Sequence, residues 1–168
     1  MPKPVPEPVD RYKEQRQKAL ALNWRKLGLV PDEKHPNVWG VMMEVGYPGA
    51  VVTLVCVSNG MVDFYVGHGG AITEADKYES VRMKAEEFIL AAETILKKLN
   101  KTKKFPLPDI ERVRFYVLTF SGIYTAQDNK NIADENHELY PLFRSGHEVI
   151  AAIRKVQDDA MQPSTRKD

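Results

Sequence analysis

Two pairs of predicted strands flank one long amphipathic helix in the sequence, one pair before it and one after it. This order limits the fold more than any other feature of the sequence. The first pair spans residues 51–66 and turns at Asn59-Gly60, and the second spans residues 112–126 and turns at Ser121-Gly122. Asn-Gly is a strong signal for a tight hairpin, because both residues tolerate a positive φ. The apolar residues between the two pairs recur at helical spacing: Val81, Ala85, Phe88, Ala92, Ile95 and Leu99. The sequence therefore predicts an antiparallel sheet that packs against this helix.

The other segments add two helices and one strand. A first helix is expected to run from Asp10 to about Leu27, although Arg16 interrupts its apolar stripe. Residues 38–45 read as a strand, and a final helix is expected to begin near Pro141. These elements follow the order α-βββ-α-ββ-α. The predicted fold class is α+β, with a five-stranded antiparallel sheet, two long helices on one face and an N-terminal helix.

These elements predict one domain over residues 10–157. Residues 1–9 are rich in proline and are expected to form a disordered arm, because proline fixes φ and removes the amide donor. Residues 158–168 are polar and are expected to form a disordered tail.

Composition limits the classes of function. The chain has 24 Lys and Arg residues against 23 Asp and Glu residues, so it lacks the basic excess typical of a nucleic-acid binder. Its one cysteine, Cys56, cannot form an intramolecular disulfide. The start of the chain lacks the apolar segment of a signal peptide, and no apolar run reaches the roughly 18 residues of a membrane span. A cytoplasmic protein without a membrane span is therefore expected.

The two turns also predict which residues share a face of the sheet, because directly opposed residues in an antiparallel pair point the same way. In the first pair, one face is dry: Thr53, Val55, Val57, Val62, Phe64 and Val66. Its other face is mixed: Leu54, Cys56, Asp63 and Tyr65. In the second pair, the dry face carries Val113, Phe115, Val117, Tyr124 and Ala126, and the mixed face carries Arg112, Arg114, Tyr116, Leu118, Phe120, Ile123 and Thr125.

The mixed face is the first candidate for binding. Its apolar residues would form an unusually large bare patch, so the first helix, a second copy of the chain or a partner must cover it. Its charged end is expected to form the rim of such a contact: Asp63, Tyr65, Arg112, Arg114 and Tyr116.

The loop Gly67-His68-Gly69-Gly70 is the second candidate. It is expected to join a strand to the middle helix, with Thr73 as the helix cap, so that backbone amides could bind an anion. His68 could then donate a proton or ligate a small molecule. The loop lacks the Lys-Ser/Thr of a P-loop, and the alternative is a turn that merely needs glycine.

The remaining reactive residues predict no metal and no cofactor. His137-Glu138 and His147-Glu148 each begin a zinc-helix motif, but Pro141 and Ala151 stand where the second histidine belongs. Cys56 lies within an apolar strand and is expected to be a packed side chain.

The order of elements resembles the roadblock/LC7 and profilin-like group of small sandwiches. Those sheets place two strands before the middle helix and three after it, whereas three and two are predicted here. The stretch from Trp39 to Val156 also resembles an uncharacterised bacterial protein family. The first resemblance implies a dimerising scaffold or regulator without catalysis. It carries no functional residue over to this chain.

The sequence thus favours a non-catalytic protein-binding or assembly module, whose partner is another protein or a second copy of the chain. The alternative is a small-ligand or anion sensor, or an enzyme, that uses His68 and the glycine loop.

Overall fold

The strands and helices are those of a computed structural model, which describes residues 2–161. Seven strands lie within these residues: β1 (Val38–Gly46), β2 (Val51–Val57), β3 (Val62–Val66), β4 (Ala71–Ile72), β5 (Asn100–Thr102), β6 (Arg112–Thr119) and β7 (Gly122–Asn129). They form one antiparallel sheet in the order β4-β3-β2-β1-β6-β7-β5. The helices are α1 (Asp10–Leu20), α2 (Glu79–Ile95) and α3 (Tyr140–Met161). The α+β class is confirmed, but the prediction of five strands is wrong.

The two additional strands are the short edges of the sheet. β4 has two residues and pairs with β3, and β5 has three residues and pairs with β7. Such short segments cannot show the alternation of apolar and polar residues that marks a strand in a sequence. The observed order is therefore α-ββββ-α-βββ-α.

The middle helix is shorter than predicted at both ends. Glu74 has a φ of 64°, and this left-handed residue prevents a helix from starting at Thr73. A 3-10 turn at Ala75–Lys77 follows, and α2 begins only at Glu79. At the other end, a second 3-10 turn at Leu96–Lys98 leads directly into β5.

The first hairpin contains one more loop residue than predicted. The amide of Val57 donates to the carbonyl of Met61, and the amide of Gly60 donates back to Val57 (both 2.9 Å). The loop is therefore Ser58-Asn59-Gly60, with Gly60 at a φ of 99°, as in hairpins with a three-residue loop. The extra residue shifts the pairing of the two strands by one position. The side chains of one strand therefore point to the opposite faces from those predicted.

The shift exchanges the two faces of β2. Leu54 and Cys56 face the helices, whereas Val55 and Val57 face the opposite side. The assignment of β2 was therefore wrong, while β3 keeps Val62 and Phe64 on the helical side as predicted.

The second hairpin also turns at other residues than predicted, yet its faces are confirmed. Thr119 pairs with Gly122, so the loop is Phe120-Ser121 rather than Ser121-Gly122. The pairing therefore shifts by two residues. Because side chains alternate between the faces with a period of two, every side chain stays on its predicted face. The residues of the predicted dry face pack under the helices: Val113, Phe115, Val117, Tyr124 and Ala126.

Helices α2 and α3 cover one face of the sheet, as predicted. Gly146 allows α3 to approach closely, because a β-carbon there would lie 2.6 Å from the sulfur of Met43 on β1 and 3.1 Å from the ring of Phe88 on α2. A separate apolar cluster fills the opposite face.

The opposite face is covered by the chain itself. Residues 2–29, which we call the N-terminal strap, cross this face together with the connector of residues 103–109. Their apolar side chains pack on the sheet: Val5, Tyr12, Ala19, Leu20, Leu22, Trp24, Leu27, Leu29, Phe105 and Leu107. Of the covers that the sequence left open, the first helix is thus observed, as part of the longer strap.

The strap begins within the segment that was expected to be disordered. The amide of Ile110 donates to the carbonyl of Lys3 (2.8 Å), and the amide of Val9 donates to the carbonyl of Gly67 (2.9 Å). At the other end of the chain, α3 continues to Met161, past the predicted end at 157. Residues 162–168 of the predicted tail lie outside the described residues.

Between residues 2 and 161, no helix combines the length and the apolar character needed to cross a membrane.

We expect Gly46→Ala to lower the free energy of unfolding by about 1–3 kcal/mol, because overpacking displaces neighbouring groups. A β-carbon on Gly46 would lie 2.1 Å from the carbonyl oxygen of Asp109, at the point where β1 meets the connector. Gly49→Ala is the control, since no atom lies within 4 Å of its β-carbon position. Urea unfolding of both variants measures the effect, and equal midpoints would contradict this contact.

Candidate functional site

The glycine loop joins two strands rather than a strand and a helix. It connects β3 to the edge strand β4, and two of its amides are occupied. Gly67 donates to the carbonyl of Val51 (2.8 Å), and Gly69 donates to the carbonyl of Val66 (2.9 Å). Gly69 has a φ of 114°, as the last residue of a three-residue loop requires. His68 is exposed, and Gly70 lies beside its ring.

The predicted charged rim is divided between two separate strands. Asp63 and Tyr65 lie on β3, whereas Arg112, Arg114 and Tyr116 lie on β6. Strands β2 and β1 separate them, so the two groups are about 14 Å apart at the usual strand spacing. The structure therefore does not bring these five residues together.

The side chains in each half of the predicted rim form hydrogen bonds with groups close to them. The hydroxyl of Tyr65 donates to Asp63 (2.9 Å), and burial raises the pKa of both side chains. Arg114 donates to Gln127 on β7 (2.6 Å), and Arg112 donates to Asn129 (3.0 Å). Tyr116 is fully buried and donates to the carbonyl of Pro106 (2.6 Å).

A buried polar cluster occupies the centre of the strap-covered face. Glu44 on β1 is 0% exposed, and Arg16 on α1 binds it through two hydrogen bonds of 2.8 Å. Thr53 on β2 donates to the same carboxylate (2.7 Å), and the Tyr12 hydroxyl lies 2.5 Å from that of Thr53. We call Tyr12, Arg16, Glu44 and Thr53 the Glu44 cluster.

Arg16 also binds the connector. Its guanidinium donates to the carbonyl of Phe105 (2.8 Å) and lies 5.9 Å from the centre of the Tyr116 ring. One side chain thus joins the strap, the sheet and the connector. Such a planar, five-donor group is well suited to this role.

The electrostatics of the Glu44 cluster favour a closed structural network. Burial and the Glu44 carboxylate raise the pKa of the Tyr12 hydroxyl, and they raise that of Tyr116 to about 12. Burial alone would lower the pKa of Arg16, but its bonds to Glu44 more than offset this, so its pKa rises. Tyr12, Arg16 and Tyr116 therefore keep their protons at neutral pH.

Other titratable side chains form local pairs that hold loops. His35 contacts Glu86 of α2 (2.6 Å) and joins the start of β1 to the helical layer. His137 contacts Asp128 (2.7 Å) and accepts a hydrogen bond from the amide of Leu139 (3.0 Å).

Cys56 is fully buried, and burial raises the pKa of its thiol. Within residues 2–161, no three His, Cys, Asp or Glu side chains are grouped so that they could hold a metal ion.

A long concave surface runs along the outer side of α3. It consists of two adjoining hollows of about 490 and 390 Å³ that share His147 and Ala151. The first is lined by Tyr47, Val52, Phe64, Ile150, Arg154, Lys155, Asp158 and Asp159. The second is lined by Ile132, Ala133, Tyr140, Phe143, Arg144 and Glu148. We call this surface the α3 trough.

The trough follows from the width of the sheet. Seven strands span about 29 Å, whereas two packed helices cover about 20 Å. Val52 and Phe64 face the helices but remain only half-buried, because α3 does not extend over them. The trough therefore has an apolar floor and a charged rim.

His147 lies at the junction of the two hollows. Its ring packs edge-on against Phe143, with 4.5 Å between ring centres. Its Nε2 atom is buried and has no hydrogen-bond partner among the described residues. Burial, assisted by the positive charge of Arg154, lowers the pKa of His147.

The sequence analysis missed both the Glu44 cluster and the trough, although each left a signal. Glu44 is a single charge within the apolar run Val-Met-Met-Glu-Val, and Arg16 interrupts the stripe of the first helix. Buried charges of this kind need a partner, so the two could have been matched. The trough was signalled only by Ala151, a small residue on the outer side of α3.

We expect Arg16→Ala to lower the free energy of unfolding by about 3–5 kcal/mol, because it leaves the carboxylate of Glu44 buried without its cation. Arg11→Ala is the matched control on α1, since Arg11 is exposed and makes no ion pair with any residue that the structure describes. The double variant Arg16→Met/Glu44→Leu should be closer to wild type than Arg16→Ala, because no unpaired charge remains. Equal losses for Arg11→Ala and Arg16→Ala in chemical denaturation would contradict this role.

We expect His147 to make the protein less stable as the pH falls below about 6.5, the ordinary histidine pKa. Its pKa is lower in the folded chain, so the unfolded chain takes up the proton first and acid favours unfolding. His147→Gln should flatten the dependence of stability on pH between about 7 and 5. Parallel pH profiles of wild type and His147→Gln would show that His147 does not titrate in this way.

Comparison of the chain with family models, with curated proteins and with solved structures finds no match.

Proposed function

We propose that this chain is a non-catalytic protein-binding module whose partner binds in the α3 trough. The observation that carries the proposal is the exposed combination of an apolar floor and a charged rim. Protein interfaces have this composition, with an apolar centre inside a polar border. The half-buried Phe64 and Phe143 are suitable anchors, because aromatic side chains contribute much of the energy at interfaces.

The trough is a better candidate than the strap-covered face. The strap already buries the apolar residues of that face, including Met42, Val55 and Leu118. A partner would have to displace the strap and the Arg16–Glu44 ion pair before it could bind there. The trough needs no such rearrangement.

The trough is also a better candidate than the edges of the sheet. Both edge strands are very short, with two residues in β4 and three in β5, and β5 carries Lys101. Short edges that carry lysine discourage the addition of another strand. Binding through a helical surface is therefore favoured over strand addition.

The chemistry of the trough supports binding rather than catalysis. A catalytic histidine usually needs a second group that orients its ring. His147 packs on Phe143 and has Arg154 nearby, and none of the described residues accepts or donates a hydrogen bond at its Nε2 atom.

The alternative, a ligand site at Gly67–Gly70 with His68, has less support. The amides of Gly67 and Gly69 donate hydrogen bonds to the carbonyls of Val51 and Val66, so they do not point outward to a ligand. The loop also lies at a strand turn and lacks the helix N-terminus that would favour an anion.

Site-specific photocrosslinking can test the proposal. A photoreactive amino acid at Ala151, which is exposed and common to both hollows, should crosslink one defined protein in the source cells. The same group at the exposed Thr94 of α2, outside the trough, should not.

A substitution complements the crosslinking. In co-purification without the crosslinker, Ala151→Glu should reduce recovery of that protein at least tenfold through desolvation of a new charge, whereas Thr94→Glu should leave its recovery unchanged. Equal recovery from both crosslinking positions, or none from Ala151, would contradict the proposal.

A further inference from the structure

We infer that the partner in the α3 trough is a second copy of this chain, whose α3 helix lies antiparallel across a two-fold axis at Ala151. This inference rests on the proposed function, and it specifies the partner. In a two-fold interface each surface patch meets itself, so the pattern of residues on that patch must be self-complementary.

The charges along the outer side of α3 meet this requirement. Arg144 and Asp158 are each seven residues from Ala151, and Glu148 and Arg154 are each three residues from it. An antiparallel copy centred on Ala151 therefore places Arg144 opposite the partner's Asp158. Because the helix turns 100° per residue, Arg144 and Asp158 both lie close to the line of contact, so two ion pairs, Arg144–Asp158 and its symmetry copy, form across the axis.

The residue at the axis allows the helices to meet. Ala151 is exposed and small, so two α3 helices can approach closely at this point. Its neighbours in the trough are the apolar floor residues, which the second helix would cover. Lys155 would lie opposite the partner's His147, and burial keeps that ring uncharged at neutral pH, so the two do not repel each other.

The chain alone leaves part of this pattern unbalanced. Glu148 has partners within the chain, because Arg144 (2.9 Å) and Lys84 (3.2 Å) both bind it. Arg154 and Asp158 make no ion pair with any described residue. Asp158 also lies near the C-terminus of α3, where the helix dipole disfavours an acidic group. A second copy would supply the missing counter-charge of Asp158 through its Arg144.

The size of the contact predicts a dimer of moderate affinity. From residue 144 to residue 158 the helix is about 21 Å long, at 1.5 Å per residue. One helix face of this length with its flanking side chains falls at the lower end of specific interfaces. The dimer should therefore form at about micromolar concentrations and weaken as salt is added.

Charge reversal provides the test. Arg144→Glu/Arg154→Glu makes positions 144, 148, 154 and 158 of α3 all acidic, and Glu148→Lys/Asp158→Lys makes the same four positions all basic. By sedimentation equilibrium, wild type should dimerise, and each variant alone should have a dissociation constant at least tenfold weaker. An equimolar mixture of the two should regain the affinity of wild type, because every opposed pair is again of opposite sign.

A control variant separates the interface from net charge. Lys97→Glu/Lys98→Glu changes the charge of the chain as much as the acidic variant does, at exposed positions outside the trough. It should dimerise like wild type, and circular dichroism should confirm that every variant is folded.

The inference is overturned if wild type is monomeric at about 200 µM, well above the expected dissociation constant. It is also overturned if both charge-reversal variants dimerise as wild type does, or if their mixture does not recover. A monomeric chain that still crosslinks a different protein through Ala151 would overturn the inference and leave the proposed function standing.

Discussion

The ion pair between Arg16 and Glu44 is the interaction on which the rest of the structure depends. It lies between the sheet and the strap, and the same guanidinium holds the connector through the carbonyl of Phe105. Breaking a buried pair of this kind by removing one partner is costly, because an uncompensated charge remains. The pair therefore fixes where α1 sits, and α1 in turn covers the face of the sheet that would otherwise be bare.

That cover determines where another molecule can bind. The strap buries one face and the edges are limited to short strands, whereas the outer side of α3 is open and has an apolar floor. It exists because two helices are too narrow for a sheet of seven strands. The proposed assembly through α3 thus follows from the same geometry that excludes the surfaces favoured by the sequence.

The sequence could predict the α+β class, the two helices on one face and the face assignments of β6 and β7. It could not predict the face assignment of β2, because Ser58 adds one residue to the turn and nothing in the sequence distinguishes a three-residue loop from a two-residue loop at Asn59-Gly60. The edge strands β4 and β5 are too short to show an alternation of apolar and polar residues. The Glu44 cluster was also difficult to predict, since Arg16 and Glu44 are 28 residues apart in the chain and only the fold brings them together.

Amide hydrogen exchange of α1 tests the central claim most directly. This helix has 11 residues, two of them buried, and isolated helices below about 12–15 residues are only marginally stable in water. Protection of its amides therefore reports that the strap is docked on the sheet. The account predicts that the amides of residues 14–20 exchange at least a hundredfold more slowly in the intact chain than in a peptide of residues 2–29, a difference of about 2.7 kcal/mol. Equal exchange rates in the chain and the peptide would contradict it.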